Sequence, residues 1–203
     1  MSETIFAVTI HFLVPHNWTH IMKILIASGI AAAALVPFAS ADVTVTFTNK
    51  TWTGSDFSDL TAQYGGFAGT LTGISVNATL NASANSTYAD DLCVYVDPAP
   101  LSNGGLLQVG GYNNFNATQR LLWANGGASV PGTNVIDAKS VNAIVFTGSA
   151  SDPIIWLGNG YTNATTSGTW TGTITLLGVS AVPAPGAMAL LGLASFCSRR
   201  RRA

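Results

Sequence analysis

Eight aspartates and no histidine set the chemistry open to the middle of this chain. Between positions 42 and 182 the acids are Asp42, Asp56, Asp59, Asp90, Asp91, Asp97, Asp137 and Asp152. Without histidine there, no Ser-His-Asp or Cys-His arrangement can form, and the usual zinc spacings are missing. No phosphate-binding glycine loop is present either. Two aspartates could serve as acid and base in glycoside cleavage. No pair, however, is set apart by surroundings that raise one pKa, so the residues point to a non-enzymatic protein. The densest acidic group is Asp90-Asp91 with Asp97, and calcium draws its oxygens from such residues. A predicted strand separates the two ends of that group by roughly 20 Å, at about 3.3 Å per residue. Only Asp90 or Asp91 with a neighbouring loop remains as a calcium candidate; the alternative is a charged strand edge that discourages pairing with other chains.

The same stretch carries only Lys50, Arg120 and Lys139 as cations, leaving it near −5 although the whole chain is at −1. Such a surface cannot grip phosphate backbones, which excludes nucleic acid as a partner. Aromatic residues offer another chemistry. Trp52, Tyr112, Trp123, Trp156 and Tyr161 stand in or beside polar segments rich in glycine and asparagine. A flat ring flanked by amides can meet a polysaccharide, and Trp52 and Tyr161 lie nearest predicted loops. They are the carbohydrate candidates, with calcium assistance through Asp90 or Asp91 an open extension. Asn-x-Ser/Thr triplets at Asn49, Asn77, Asn81, Asn85, Asn116 and Asn163 follow from a composition rich in threonine and asparagine and single out no site.

These residues must be positioned by strands. Val43, Val45 and Phe47 alternate with Thr44, Thr46 and Thr48; Leu92, Val94 and Val96 alternate with Cys93 and Tyr95; Trp170, Gly172, Ile174 and Leu176 alternate with threonines. Two-residue alternation of Val, Thr and aromatics predicts strands. Further strands are expected near Phe67–Thr72, Ile74–Leu80, Leu106–Val109, Arg120–Ala124, Val141–Phe146 and Ile154–Leu157. Between them Gly-Gly and Asn-Gly steps supply turns, and no stretch keeps a 3.6-residue apolar period. The expectation is an all-β chain: an antiparallel β-sandwich over residues 42–180, of jelly-roll type. Cys93 is expected as a buried strand residue, since a lone cysteine has no internal partner. Phe67–Thr72 and Trp170–Thr175 share the pattern aromatic-x-Gly-Thr-aliphatic-Thr, which predicts two strands of like role.

The two ends read as addresses. From Met22-Lys23 an apolar stretch runs to Phe38 and closes on Ala39-Ser40-Ala41. One positive charge, a short apolar core and a small-x-small site predict a secretory signal peptide over 22–41, cut after Ala41. Residues 1–21, with three histidines and no Lys or Arg, do not fit that plan. They read as a mis-called start or an extension ahead of Met22. At the other end stand Val182-Pro183-Ala184-Pro185, an apolar run over 187–197, and Arg199, Arg200, Arg201 and Arg202. This three-part segment, 181–203, resembles the PEP-CTERM sorting signal of bacterial exported proteins, with Ala184 where the family carries glutamate. The resemblance implies export through the Sec translocon, signal-peptidase cleavage, and transient tethering in the inner membrane. An exosortase-like peptidase then removes the tail, leaving the protein at the cell surface or in the extracellular matrix. Physical chemistry agrees: terminal arginines hold the end in the cytoplasm. Thirteen residues over 186–198 make roughly 20 Å of helix, a short transmembrane anchor against a ~30 Å hydrocarbon core. Within the body, Asp91–Val96 and Gly168–Ile174 are similar to the Asp-Leu strand and Gly-Thr-Trp closing strand of P-domain-type jelly rolls. That similarity implies fold, not activity.

Overall fold

The structure is a computed structural model and describes residues 41–97 and 102–182. Alternation builds its first sheet. Strand β1 (Val43–Thr53) turns Val43, Val45 and Phe47 inward and its threonines outward. It pairs antiparallel with β9 (Ser167–Ala181), which pairs with β3 (Phe67–Ala84), which pairs with β7 (Asn134–Thr147). The order β1-β9-β3-β7 therefore sets the first strand beside the last. The second sheet runs β2 (Phe57–Asp59), β8 (Ile154–Asn159), β4 (Leu92–Asp97), β5 (Leu107–Val109), β6 (Gln119–Leu121), and only β5 and β6 are parallel. Inner-face residues of both sheets, among them Leu71, Ile74, Trp170 and Ile174 from the first and Val94, Val109, Ile155 and Leu157 from the second, form one core. The chain is an all-β sandwich.

Several expected elements are redrawn. Phe67–Thr72 and Ile74–Leu80 belong to one 18-residue strand, β3. Its register with β7 shifts between Leu71 and Gly73, where a Cβ on Gly73 would lie 2.9 Å from Leu177 Cδ1. Local sequence reads that shift as a break; the sheet absorbs it as a bulge. Of Arg120–Ala124 only Arg120 and Leu121 pair, in a strand that begins at Gln119, and β2 together with a five-residue helix, α1 (Leu60–Tyr64), was not legible. Helix α1 starts where Asp59 Oδ1 accepts from the Ala62 N–H at 2.8 Å. The shared pattern of Phe67–Thr72 and Trp170–Thr175 falls on neighbouring strands β3 and β9. A Cβ on Gly172 would meet the Asn77 carbonyl at 2.3 Å, so the glycine lets the two backbones close up.

Strand β4 is buried on both faces. Leu92, Val94 and Val96 face the shared core, while Cys93 and Tyr95 join Phe115 in a second cluster outside the sheet. Phe115 comes from the β5–β6 loop, which folds over the outer face of the second sheet; its ring meets Tyr95 edge-on at 5.3 Å. Gln108, fully buried, fastens that loop. Its Nε2 donates to the Asn113 carbonyl at 2.6 Å and to that of Gly110 at 3.2 Å, and its Oε1 accepts from the Phe115 N–H at 3.0 Å. Cys93 lies in this cluster as a buried free thiol, its pKa pushed up by burial, so it is not poised to react. The reading of Asp90, Asp91 and Asp97 as a charged edge is corrected here: β4 has β8 on one side and β5 on the other. Asp97 is 2% exposed and accepts from the Ser102 hydroxyl.

One of the two edges of the first sheet, β7, is closed by side chains. The Ile136 N–H donates to Asn125 Oδ1 at 2.8 Å while Asn125 Nδ2 donates to the Ile136 carbonyl at 2.7 Å. The Ala138 N–H donates to Oδ1 of the preceding residue, Asp137, and the Asn142 N–H to Gln119 Oε1, both at 2.8 Å. Side-chain amides here occupy positions another strand would take. The double variant N125A/Q119A is expected to stay folded by circular dichroism but to self-associate on light scattering, where the unaltered protein does not.

Candidate functional site

Two glycines open the site. Gly110 and Gly111 take φ of 79° and 80°, a left-handed pair that turns the chain after β5. Gly111 donates its N–H to the Asp90 carbonyl at 2.9 Å, and a Cβ there would meet Gly160 Cα at 2.8 Å. The turn thus lies against the short 3₁₀ segment Ala89–Asp91 that leads into β4 and against the loop following β8. Gly160 donates to the Asp91 carbonyl at 2.7 Å, and Asn113 to the Gly160 carbonyl at 2.9 Å. Three loops from distant parts of the chain are so bound at one end of the second sheet.

Asp91 ties them a second time through its side chain. Oδ2 accepts from the Tyr88 N–H at 2.7 Å and Oδ1 from the Tyr112 N–H at 3.0 Å, with the residue only 4% exposed. Burial is the leading effect on this carboxyl and raises its pKa to about 6, against the two N–H groups that favour the charge. Neighbouring Asp90 is also raised by burial.

Around this clip lies an open cleft of about 680 Å³ lined by Tyr88, Asp90, Asp91, Tyr112, Arg120 and Trp123, with Asn113 and Asn114 at its side. That size falls within the range of small-ligand sites. Tyr112 is 73% exposed, and its ring meets Tyr161, half-buried, edge-on at 5.3 Å. Trp123 is buried, with Nε1 donating to the Leu92 carbonyl at 2.7 Å. Arg120 Nη2 donates to the Tyr112 carbonyl at 2.9 Å and more weakly to that of Gly111 at 3.4 Å, while its buried Nε has no partner. The cleft combines aromatic faces, a carboxylate acceptor, amides and guanidinium donors. Such groups can stack on a ring and exchange hydrogen bonds with hydroxyls.

The sequence-predicted residues divide. Tyr161 lies at this cleft's margin. Trp52 does not: it is 1% exposed, and the expectation of an exposed platform there is corrected. A bulge between Phe47 and Lys50, with Asn49 at φ 47°, changes the phase of β1, so an even-numbered residue turns inward after three odd ones. Trp52 packs at 5.6 Å from Phe47 and 5.9 Å from Trp170, and its Nε1 donates to Ser58 Oγ at 3.0 Å. Tyr112 was among the five aromatics in polar segments but not one of the two preferred, and Tyr88 and Arg120 are site residues that sequence reasoning did not select. The signal for Tyr112 was the string Gly110-Gly111-Tyr112-Asn113-Asn114, an aromatic held out between a tight turn and two amides. Asp90 and Asp91 line the cleft, but no group of three or more His, Cys, Asp or Glu gathers among the described residues. Of the sorting residues, Ala39, Pro183, Pro185 and Arg199–Arg202 lie outside the described residues. Ala41 is exposed ahead of β1, its N–H donating to Ser180 Oγ at 3.3 Å. No helix among the described residues is long and apolar enough to cross a membrane.

The raised pKa of Asp91 fixes the sign of a pH effect. Between an unfolded value of 3.8 and a folded value of about 6 the native state holds more protons than the unfolded one. This group's contribution to stability therefore grows as pH falls from 7 towards 4, by up to about 3 kcal/mol. Asp137 and Asp152 are lowered in the folded state and act oppositely, losing stability as pH falls through their folded pKa. Urea titrations at pH 7 and pH 5 should isolate the Asp91 share: Asp91→Asn is expected to lose stability relative to the unaltered protein as pH is lowered. Parallel pH profiles for the two proteins would contradict the assignment.

No protein-family model matches the chain, and no curated protein or solved structure matches it.

Proposed function

We propose that this is an exported, non-enzymatic protein of the cell surface or extracellular matrix whose sandwich domain binds a polysaccharide through the Tyr88–Tyr112 cleft. The observation that carries the binding half is the cleft itself, where exposed Tyr112, in edge contact with Tyr161, shares the lining with Asp90 and Arg120. Aromatic faces stack on sugar rings while carboxylate and guanidinium meet hydroxyls of opposite hydrogen-bonding sense. Nothing in such a cleft requires a nucleophile, and the body has no histidine to activate one.

The export half rests on the signal-peptide pattern over 22–41 and the PEP-CTERM-like segment 181–203. In this reading the Sec translocon, signal peptidase and an exosortase-like peptidase act in turn, and the inner membrane holds the chain only in transit. The jelly-roll assignment belongs to the same reading. With β6 set aside, the orders β1-β9-β3-β7 and β2-β8-β4-β5 interleave as two Greek keys do.

Calorimetry against a panel of soluble polysaccharides tests the first half. A saturable partner is expected, with Tyr112→Ala weakening it at least about tenfold, as loss of a stacking aromatic does, while Trp52→Phe leaves affinity unchanged. No binding to any polymer, or equal binding by Tyr112→Ala, would sink the site. Intact mass of the protein from its own cells tests the second: a species starting at Asp42 and ending near Pro183, outside the inner membrane, is expected. A membrane species retaining Arg199–Arg202 would refute tail removal.

A further inference from the structure

Beside the large cleft lies a smaller pocket of about 220 Å³ lined by Ser86, Tyr88, Asp91, Tyr112 and Tyr161. Three of its five residues are tyrosines and one is a carboxylate nearly removed from water. The side-chain bonds of Asp91 are both to backbone N–H groups. The single ion pair among the described residues joins Lys139 to Asp137, so no cation among them pairs with this acid.

We propose that the small pocket is a subsite for an ammonium group, and that the glycan bound in the cleft carries free amines. The inference rests on reading the neighbouring cleft as a glycan site. A cation between tyrosine rings is drawn to their π faces, more strongly where water is excluded. Opposite the same cation, Asp91 gains the partner that its burial otherwise denies it. An acidic sugar is disfavoured, since it would bring a carboxylate towards Asp90 and Asp91 on a body of net charge near −5. Arg120 stands on the wall of the larger cleft, its guanidinium turned to the Gly111 and Tyr112 carbonyls, and does not line the small pocket. The two cavities share Tyr88, Asp91 and Tyr112, so one chain of sugar units can place an amine in the pocket and its hydroxyls in the cleft.

The test uses the full-length protein with four probes: glucosamine oligomers, their fully N-acetylated counterparts, tetramethylammonium and phosphocholine. The expected result is binding of the free-amine oligomers, at least about tenfold weaker binding after acetylation, and competition by tetramethylammonium. Tyr161→Leu should weaken the free-amine oligomers by a similar factor and Tyr161→Phe should not. Asp91→Asn should remove the preference for the free amine, and circular dichroism must show it folded. Because Asp91 also fastens the loop, Tyr161→Leu keeps the test open if that variant unfolds. Equal binding of free and acetylated oligomers overturns the ammonium subsite and leaves the glycan site standing. Binding of phosphocholine without any oligomer overturns both the amino-sugar ligand and the glycan reading, and assigns the pocket to a choline headgroup. Failure of all four probes overturns the subsite.

Discussion

One carboxylate, removed from water and held by two backbone amides, orders the end of the sandwich where the cleft lies. Asp91 joins Tyr88 ahead of it to Tyr112 in a loop 21 residues further on, and its own carbonyl accepts from Gly160. Burial opposes the charge and the amide donors favour it; the pKa raised to about 6 says that burial is the larger effect. A residue kept at such cost by an otherwise ordinary strand entry is informative. Asp137 and Asp152 also bear a desolvation penalty, but their hydrogen bonds to side chains and backbone N–H groups together outweigh it, and their pKa values fall instead.

Loop and core depend on each other through the same region. The outer face of β4 is apolar and sits mid-sheet, so something must cover it. The β5–β6 loop does so by inserting Phe115 against Tyr95, and Gln108 satisfies three loop backbone groups that would otherwise lie unpaired beneath it. Each such group left unbonded costs about 1–3 kcal/mol. A loop fixed so firmly at its base can hold Tyr112 out in solvent at its tip. Rigidity where the loop is buried and exposure where it is not are two results of one fastening.

Alternation carried most of the fold to the reader of the sequence. Val43–Phe47, Leu92–Val96 and Trp170–Leu176 face as their periodicity requires, because a period of two survives any tertiary context that keeps the strand straight. It fails where the strand is not straight. One extra residue near Asn49 reverses the facing of Trp52, and nothing local marks it beyond an asparagine able to take positive φ. The site was less legible for a different reason. Tyr88, Tyr112 and Tyr161 are each single aromatics in polar loops; their convergence depends on hydrogen bonds between segments, which no spacing along the chain encodes.

Sheet order also governs when the sandwich can form. Strand β9 lies between β1 and β3, and Val43 pairs with Leu176, roughly 130 residues away. Until the chain is nearly all available, β1 has no partner and β3 has only β7. Non-local pairing of this kind is slow because the loop-closure entropy must be overcome before any contact is gained. A chain that becomes available amino end first could therefore pair β3 with β7 and assemble the second sheet, but β1 would stay without a partner until β9 arrives. Its first sheet would close only as residues 167–181 emerge, immediately ahead of the segment that begins at Pro183. Late closure of the sheet and arrival of the tail would then be nearly the same event in time.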